Sequence, residues 1–586
     1  MPEPGVALQG KVLVLGEDER SFLSVVRSLG RAGLQVHVGW AGAKVSIARG
    51  SRYIAKAHSI PDYSAQDDAW FHALSRLLAQ ERFDLVIPTS DATMIPLQER
   101  RADLPFSERI YLLSDHAFEV TQDKAKTYAL ARSLGIPVPG QITVNPADPA
   151  CLEKIAREIG APAVFKPISS VNPSDTKTKR AAAIASRQSD FERVTLSFSA
   201  LPSVLVQTYF EGIGMGLEIL AGDGRVLYAY QHARVHESFG SGSAYRKGVA
   251  LNPELLEATE KMVAELRYSG VAMFEFRYNL RSRQWVLLEI NGRFWGSLPL
   301  AVASRADFPR YLYEMIVNRR TLFPAGYRKG LYCRNISKDF FWALKHRAAV
   351  AQGSREPQYS FAGLLAEAAK NILLLRERFD TFVLDDPAPA WRELAALARY
   401  LTNRLAAKSL RFAFLRRLSQ RRPPHISAAS KLLFVCKGNI CRSPFAQQYV
   451  RAFYGAAPVA SAGYYPVSNR RPPETAQAVA REFGVDLSRS SSRLLDEEMI
   501  ASADVVIVFD HENLITLFER FTAHRAKIAL LCDLVPGSKL GFVEDPYGGD
   551  ADRFRFVYAQ IADAVDSLFA NIGVPKVPQP LKSSPA

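Results

Sequence analysis

Cysteine is sparse in this 586-residue chain: five residues, an odd number, scattered at 151, 333, 436, 441 and 532. That count excludes a disulfide framework and points to a reducing cytoplasm. Long apolar runs are missing too. No stretch reaches 18 residues, so no spanning helix is expected. The opening MPEPGVALQG lacks the basic-then-apolar layout of a secretory signal. Two further absences are local. The strand-like KVLVLG empties into Gly16-Glu17-Asp18 without the later glycines of a dinucleotide fingerprint, so a nicotinamide cofactor is not expected. Between Leu394 and Ser430 there is no acidic residue.

What is present divides the chain. Its length suits three or four domains, and 48% hydrophobic with 23% charged residues is the make-up of an ordinary water-soluble protein. The formal charge of +15 suits an acidic partner, and its distribution matters more than its total. From Lys11, a strand, a helix (ERSFLSVVRSLGRAG), a second strand (LQVHVGW) and a third opening onto Ser90 and Asp91 alternate. That order predicts a parallel sheet covered on both faces over 1–115. A helix follows Asp123, then the strands APAVFKP and SVLVQTYFEG, a hairpin about Gly222-Asp223-Gly224, a helix over 253–268, and the strands GVAMFEFRYN and WVLLEINGRF.

The last two strands carry chemistry by their period. Side chains alternate across a strand, so Glu289, Asn291 and Arg293 are expected on one face while Leu288 and Ile290 enter the core. Glu275 sits at a comparable depth on the preceding strand. Two carboxylates and an amide oxygen suit Mg²⁺ together with nucleotide phosphates. Lys166, ending an apolar strand, and Lys124, opening a helix, would neutralise phosphate charge.

In this order, DK…LGIPVPG, VFKP, VLVQTYFEG, MFEF and LLEINGRFWGS resemble the ATP-grasp family over roughly 10–330. The resemblance implies a Rossmann-like pre-domain (1–115) and an α+β ATP-grasp domain (116–330). It gives Lys124 and Lys166 to the ATP phosphates and the hinge Gln207, Thr208, Tyr209 and Phe210 to adenine. Glu275, Glu289 and Asn291 would bind Mg²⁺ or Mn²⁺, and Arg293 the phosphate in transfer. The family makes an acyl phosphate from a carboxylate and ATP, which an amine or thiol attacks. The chain departs from the pattern twice: the segment after Lys166, ISSVNPSDTKTKR, has no glycine, and no acid follows Gln207. An acceptor pocket for an anionic substrate is expected over 234–248.

Residues 331–395 read as helices with a proline break at DDPAPAW. Over 394–430, eight bases recur with leucines at near-helical spacing: Arg399, Arg404, Lys408, Arg411, Arg416, Arg417, Arg421 and Arg422. This predicts an amphipathic basic helix and linker, suited to packing on a domain or to a peripheral contact with an anionic membrane surface. No nucleic-acid module surrounds it.

In FVCKGNICRSP (434–444), an apolar strand, a loop and a helix start bring Cys436 and Arg442 six positions apart. Amides converging at a helix start favour an anion and a thiolate, and the arginine fork matches two phosphate oxygens. This segment resembles the active-site loop of the low-molecular-weight protein tyrosine phosphatases. The resemblance implies that Cys436 attacks phosphorus, that the amides through Lys437, Gly438, Ile440 and Cys441 cradle the phosphate with Arg442, that Asn439 braces the loop, and that Ser443 helps the sulfur leave. It further implies an Asp-Pro acid, here Asp545 with Glu544 as fallback, and a protective Cys436–Cys441 disulfide under peroxide. A doubly wound parallel sheet is expected over 431–575. Arsenate reductases share the loop but relay oxidation through two further cysteines, and only Cys532 lies downstream. The expectation is an α/β fusion of an ATP-dependent carboxylate–amine ligase with a phosphomonoesterase acting on a phosphorylated protein or small ester. The alternative is a phosphatase gated by a non-catalytic ATP-binding module.

Overall fold

The computed structural model describes residues 8–577 except 19, 41–45, 65–66, 170, 173–174, 180–181, 200, 239–241, 352–360, 410–423, 456, 466–468 and 536–540. The chain forms two compact units, Met1–Ala395 and Ala396–Ala586.

Unit one begins with a parallel sheet of β1 (Lys11–Leu15), β2 (Gln35–Trp40), β3 (Lys56–Ser59) and β4 (Leu85–Pro88), in the order β3-β2-β1-β4. Both faces of β1 are buried. Val12 and Val14 pack with Phe22 and Val25, whereas Leu13 and Leu15 pack with Trp70 and Leu74. That two-sided burial is why the strand reads as an unbroken apolar run.

A small sheet follows, with β5 (Gln141–Val144), β6 (Ala163–Pro167), β9 (Ala183–Ala185) and β10 (Val204–Thr208) ordered β5-β10-β6-β9. Between its members lies the two-stranded pair of β7 (Val171–Asn172) and β8 (Asp175–Lys179). The third and largest sheet runs β15-β14-β11-β12-β13-β16-β17. Its strands are β11 (Ile213–Gly222), β12 (Arg225–Ser238), β13 (Gly242–Val249), β14 (Gly270–Tyr278), β15 (Trp285–Asn291), β16 (Tyr332–Arg334) and β17 (Glu377–Phe379). Asp223 and Gly224, at φ 47° and 75°, make the expected turn.

Three expectations need correction. Between Glu275 and Phe276 the β14–β15 register slips, so Glu275 faces Glu289 while Phe276 faces Leu287. The extra residue shifts the alternation, and Leu287 and Ile290 enter the core while Leu288 is only half-buried. Residues 331–395 are not all helical, because β16 and β17 complete the large sheet. The basic helix starts at Ala388, right after the aspartate pair of the proline segment, and spans Ala388–Ser409. Arg411, Arg416, Arg417, Arg421 and Arg422 lie outside the described residues.

The segment before this helix ties back to the helix Ser21–Arg31 that follows β1. Arg27, buried, donates through Nε to Asp386 Oδ2 (2.9 Å) and through Nη2 to the carbonyls of Thr381 and Asp386 (both 2.7 Å). Arg31 makes a two-armed pair with Asp385 (2.7 Å each).

Unit two carries β18 (Leu432–Cys436), β19 (Val459–Gly463), β20 (Val505–Val508) and β21 (Ile528–Leu530) in the all-parallel order β19-β18-β20-β21. Helices cover both faces: Phe434 packs with Phe445, Tyr558 and Leu568, and Leu433 and Val435 with Leu517 and Phe521. Phe445, in the helix Arg442–Tyr454, stacks flat on Tyr558 of the C-terminal helix at 3.9 Å between ring centres. This contact fixes the helix that closes the cysteine loop. The whole chain is thus α/β, with parallel and antiparallel sheets in the first unit and a doubly wound parallel sheet in the second.

Candidate functional site

β18 is the strand from which the chain goes first to one neighbour and then to the other, and such a reversal leaves a crevice beyond the strand's carboxyl end. Cys436 is its last residue. The Asn439 N–H donates to Cys436 Sγ at 3.3 Å, and Ser443 Oγ lies 3.1 Å from the same sulfur. Asn439 holds the loop open from a left-handed conformation (φ 51°). Its Nδ2 donates to Ser443 Oγ (2.8 Å) and Ser461 Oγ (2.9 Å), and its Oδ1 accepts from Arg493 N–H (2.8 Å). Gly438, Ile440 and Cys441 complete the loop, with Ile440 and Cys441 buried, and Lys437 extends outward near Glu512. Gly463 must lack a side chain, because a Cβ there would come within 2.8 Å of Asn439 N and 2.9 Å of Lys437 O.

Arg442 is buried, yet it meets two carboxylates: Nη1 donates to Asp510 Oδ2 (2.6 Å) and Val543 O (3.0 Å), and Nη2 lies 2.8 Å from Asp545 Oδ2. Burial opposes the guanidinium's charge, but Cys436, Asp510 and Asp545 outweigh it and hold its pKa above the ordinary value. Burial pushes the Cys441 thiol well up, which suits an inert neighbour more than a second nucleophile. The sequence-predicted residues Cys436, Asn439, Arg442, Ser443 and Asp545 therefore share one pocket. Sequence reading missed Asp510, Arg470, whose Nη2 donates to Gly438 O (2.6 Å), and Ser461. For Asp510 a signal existed: it follows the buried strand Val505–Val508 by two residues and caps the next helix by accepting from Asn513 N–H (2.7 Å).

Asn439→Ala should destabilise unit two by roughly 2–4 kcal/mol, from the left-handed backbone and from the Arg493 N–H losing its acceptor. Asn439→Gly relieves only the backbone part. Denaturant unfolding of both variants, followed on the transition that accompanies phosphatase loss, separates the two contributions. Equal stability of the Ala variant and the parent would remove Asn439 as the brace.

In unit one, Glu275 and Glu289 face each other directly across β14 and β15. Asn291 Nδ2 lies 3.4 Å from an oxygen of each, and turning the amide over would present its oxygen to the same space. Glu275 also accepts from Arg234 Nη2 at 2.5 Å, and Arg234 and Arg277 share Glu237 (2.9 and 2.6 Å). Lys124 is held by the Asp123 helix cap, and its Nζ stands 4.0 Å from Glu289 Oε2. Burial lowers the pKa of both Lys124 and Lys166. Burial alone would raise Glu289, but the two lysines outweigh it and keep it low, while burial raises Glu275 despite Arg234. Two opposed, half-buried carboxylates with an amide oxygen in reach and lysines behind them offer the donor chemistry that a hard dication and nucleotide phosphates would need.

Arg293 departs from expectation. β15 ends at Asn291, and the chain turns at Gly292, where a Cβ would meet Leu113 and Thr121 at 2.9 Å. Arg293 is thus off the strand face and forms a two-armed pair with Asp91 (2.8 and 2.7 Å). At the hinge, Gln207 is buried and donates to Gln141 Oε1 (2.9 Å). The N–H groups of Thr208 and Tyr209 go to Gly140 O (2.8 Å) and Pro162 O (3.2 Å), and Phe210 is half-buried. The expected phosphate cover over 168–180 and acceptor stretch over 234–248 include positions outside the described residues.

Elsewhere among the described residues, His37, His58 and Glu81 stand close enough to share a metal. Glu81 is already held by Lys11 (2.8 Å) and Lys56 (2.7 Å), so a dication there would face two ammonium groups.

The family described as low molecular weight phosphotyrosine protein phosphatase matches residues 431–576. The family described as ATP-grasp in the biosynthetic pathway with Ter operon matches 200–338. The chain is 32% identical over 145 residues to the protein-arginine-phosphatase of Bacillus subtilis, covering 24% of this chain and 93% of that one. It is 29% identical over 143 residues to the low molecular weight protein-tyrosine-phosphatase Etp of Escherichia coli, 23% of this chain and 89% of the relative. A solved L-amino acid ligase from Bacillus licheniformis overlaps 53% of this chain and 74% of its own at 14% identity, with a TM-score of 0.40. Residues 431–576 belong to the low-molecular-weight phosphotyrosine protein phosphatase family, joined in the same chain to an ATP-grasp domain at 200–338.

Proposed function

We propose that unit two hydrolyses aryl phosphates such as phosphotyrosine through a phosphocysteine, and that unit one is an ATP- and Mg²⁺-dependent carboxylate–amine ligase. The arrangement that carries the first reading is one sulfur meeting an amide and a hydroxyl, beside a guanidinium shared by two carboxylates. The Cys436 thiolate forms the S–P bond as the ester P–O bond breaks, and Asp545 gives its proton to the departing oxygen. Amides of Lys437, Gly438, Ile440 and Cys441 and the fork of Arg442 hold the three remaining oxygens. Asp545, now a carboxylate, takes a proton from water as the water attacks phosphorus. The S–P bond breaks, Ser443 supports the leaving sulfur, and phosphate departs.

An aromatic rim supports tyrosine over arginine. Tyr547 is exposed two residues from Asp545, and Tyr465 is exposed beneath Arg470 at 4.5 Å. Arsenate reduction is disfavoured because a single cysteine, Cys532, follows the loop in the sequence, with no second one to relay oxidation. The test is Asp545→Asn on a series of aryl phosphates. Loss should reach roughly 10²–10⁴-fold for poor leaving groups and shrink for good ones. A loss that ignores the leaving group would remove Asp545 as the acid. Matched phosphotyrosine and phosphoarginine peptides then decide the substrate class.

In unit one, Lys124 and Lys166 would hold nucleotide phosphates, residues 207–210 the adenine, and Glu275, Glu289 and Asn291 the dication. A bound Mg²⁺ or Mn²⁺ supplies neutralisation of phosphate charge. Arg234, on Glu275, would meet the carboxylate substrate, and an amine would displace phosphate from its acyl phosphate. The two-armed Arg293–Asp91 pair favours a second reading, in which nucleotide is bound without turnover and regulates the phosphatase. Arg293 must exchange Asp91 for phosphate before it can act in transfer.

A further inference from the structure

No helix among the described residues is long and apolar enough to cross a membrane. Exposed large apolar side chains are nonetheless concentrated in one stretch of the chain. Ten of the twenty that stand exposed among the described residues fall between 344 and 400, including Leu373 (83% exposed), Leu384 (89%) and Trp391 (66%). The Ala388–Ser409 helix shows how this region is presented. Ala390 and Glu393 are buried, and Glu393 accepts from Ser337 N–H at 2.9 Å, which seats one side of the helix's first turns. Trp391, Leu394 and Ala398 are exposed on another side, spaced three and then four apart, and the same spacing continues in the sequence through Leu401 and Leu405. Arg392 and Arg399 are exposed along the edge of that stripe. The chain from 394 to 430 then holds eight bases and no acid.

We infer that this face of the helix rests on an anionic lipid bilayer, with Trp391 and Leu394 at the boundary between headgroups and acyl chains and Arg392 and Arg399 on lipid phosphates. An apolar stripe edged by bases is the pattern of a helix lying in a membrane interface. Charge decides among the occupants. A second copy laid on this face would set Arg392 and Arg399 against like charges. A nucleic acid would satisfy the arginines but offers no apolar phase for Trp391 and Leu394.

The test is flotation of the full chain with vesicles of phosphatidylcholine alone or with about 30 mol % phosphatidylglycerol, at about 0.1 M and about 0.5 M salt. Binding should be at least roughly tenfold stronger on the anionic vesicles and weaken in high salt. It should be lost in Trp391→Ser/Leu394→Ser and reduced several-fold in Arg399→Glu. Hydrolysis of a small aryl phosphate and the thermal unfolding profile of each variant, both unchanged, report that the chain has folded. No preference for anionic vesicles, or binding indifferent to the apolar pair, would overturn the inference. So would a dimer in light scattering that the double variant abolishes, or retention on RNA in place of vesicles.

Discussion

Cys436→Ser should lose phosphomonoester hydrolysis by roughly 10⁶-fold, the scale on which other covalent hydrolases fail without their nucleophile. The hydroxyl of serine at the end of β18 would meet the same Asn439 N–H and Ser443 Oγ that the sulfur meets at 3.3 and 3.1 Å. It would therefore stay in place but remain protonated, since a hydroxyl gives up its proton far less readily than a thiol. Binding should survive, because the loop amides and Arg442 are untouched. The variant should hold a phosphotyrosine peptide about as tightly as the parent, which makes it a trap for the natural substrate in an extract. The measurement is kcat by phosphate release beside Kd by calorimetry. Residual turnover within a hundredfold of the parent would place the chemistry on another group.

Glu289→Gln should abolish ATP consumption by the first unit, by about 10³-fold or more, while leaving the phosphatase rate alone. This carboxylate faces Glu275 in register, lies nearest Lys124, and is held charged by Lys124 and Lys166 against its burial. Its removal takes away the donor on which dication and phosphate charge would balance, a matter of several kcal/mol in the transition state. Glutamine keeps the side chain's size, so the strand pair should persist. The readout is ADP formed with Mg²⁺ and a panel of amino acids, alongside ATP binding by calorimetry. ATP bound by the parent but never consumed, with a change in phosphatase rate, would select the regulatory reading. Consumption unchanged in Glu289→Gln would move the metal site elsewhere.

Much of this was legible because it is local. Cys436, Asn439, Arg442 and Ser443 fall within eight consecutive residues, so strand, loop and helix start bring them together without help from the rest of the chain. Asp510, Arg470 and Ser461 reach the same pocket from other strands and loops, and no spacing announces them. Period-two arithmetic paired Glu289 with Asn291 correctly and misplaced Leu288, because a register slip inside a strand pair leaves no mark in composition. β16 and β17, at three residues each, are too short to stand out beside the helices around them. Arg293 looked like a continuation of the strand because Gly292 reads as an ordinary strand residue until the close approach of Leu113 and Thr121 is seen.

The clasp between Arg27 and the stretch around Thr381 and Asp386 bears on the order of events during synthesis. Its arginine is translated more than 350 residues before its acceptors, and the outermost strand of the seven-stranded sheet arrives only at 377–379. Emerging domains tend to fold as units from the N-terminus, but this one must wait. Until the ribosome has passed codon 386, the growing chain holds an interior guanidinium without these acceptors, and β16 lacks its neighbour at the edge of the seven-stranded sheet.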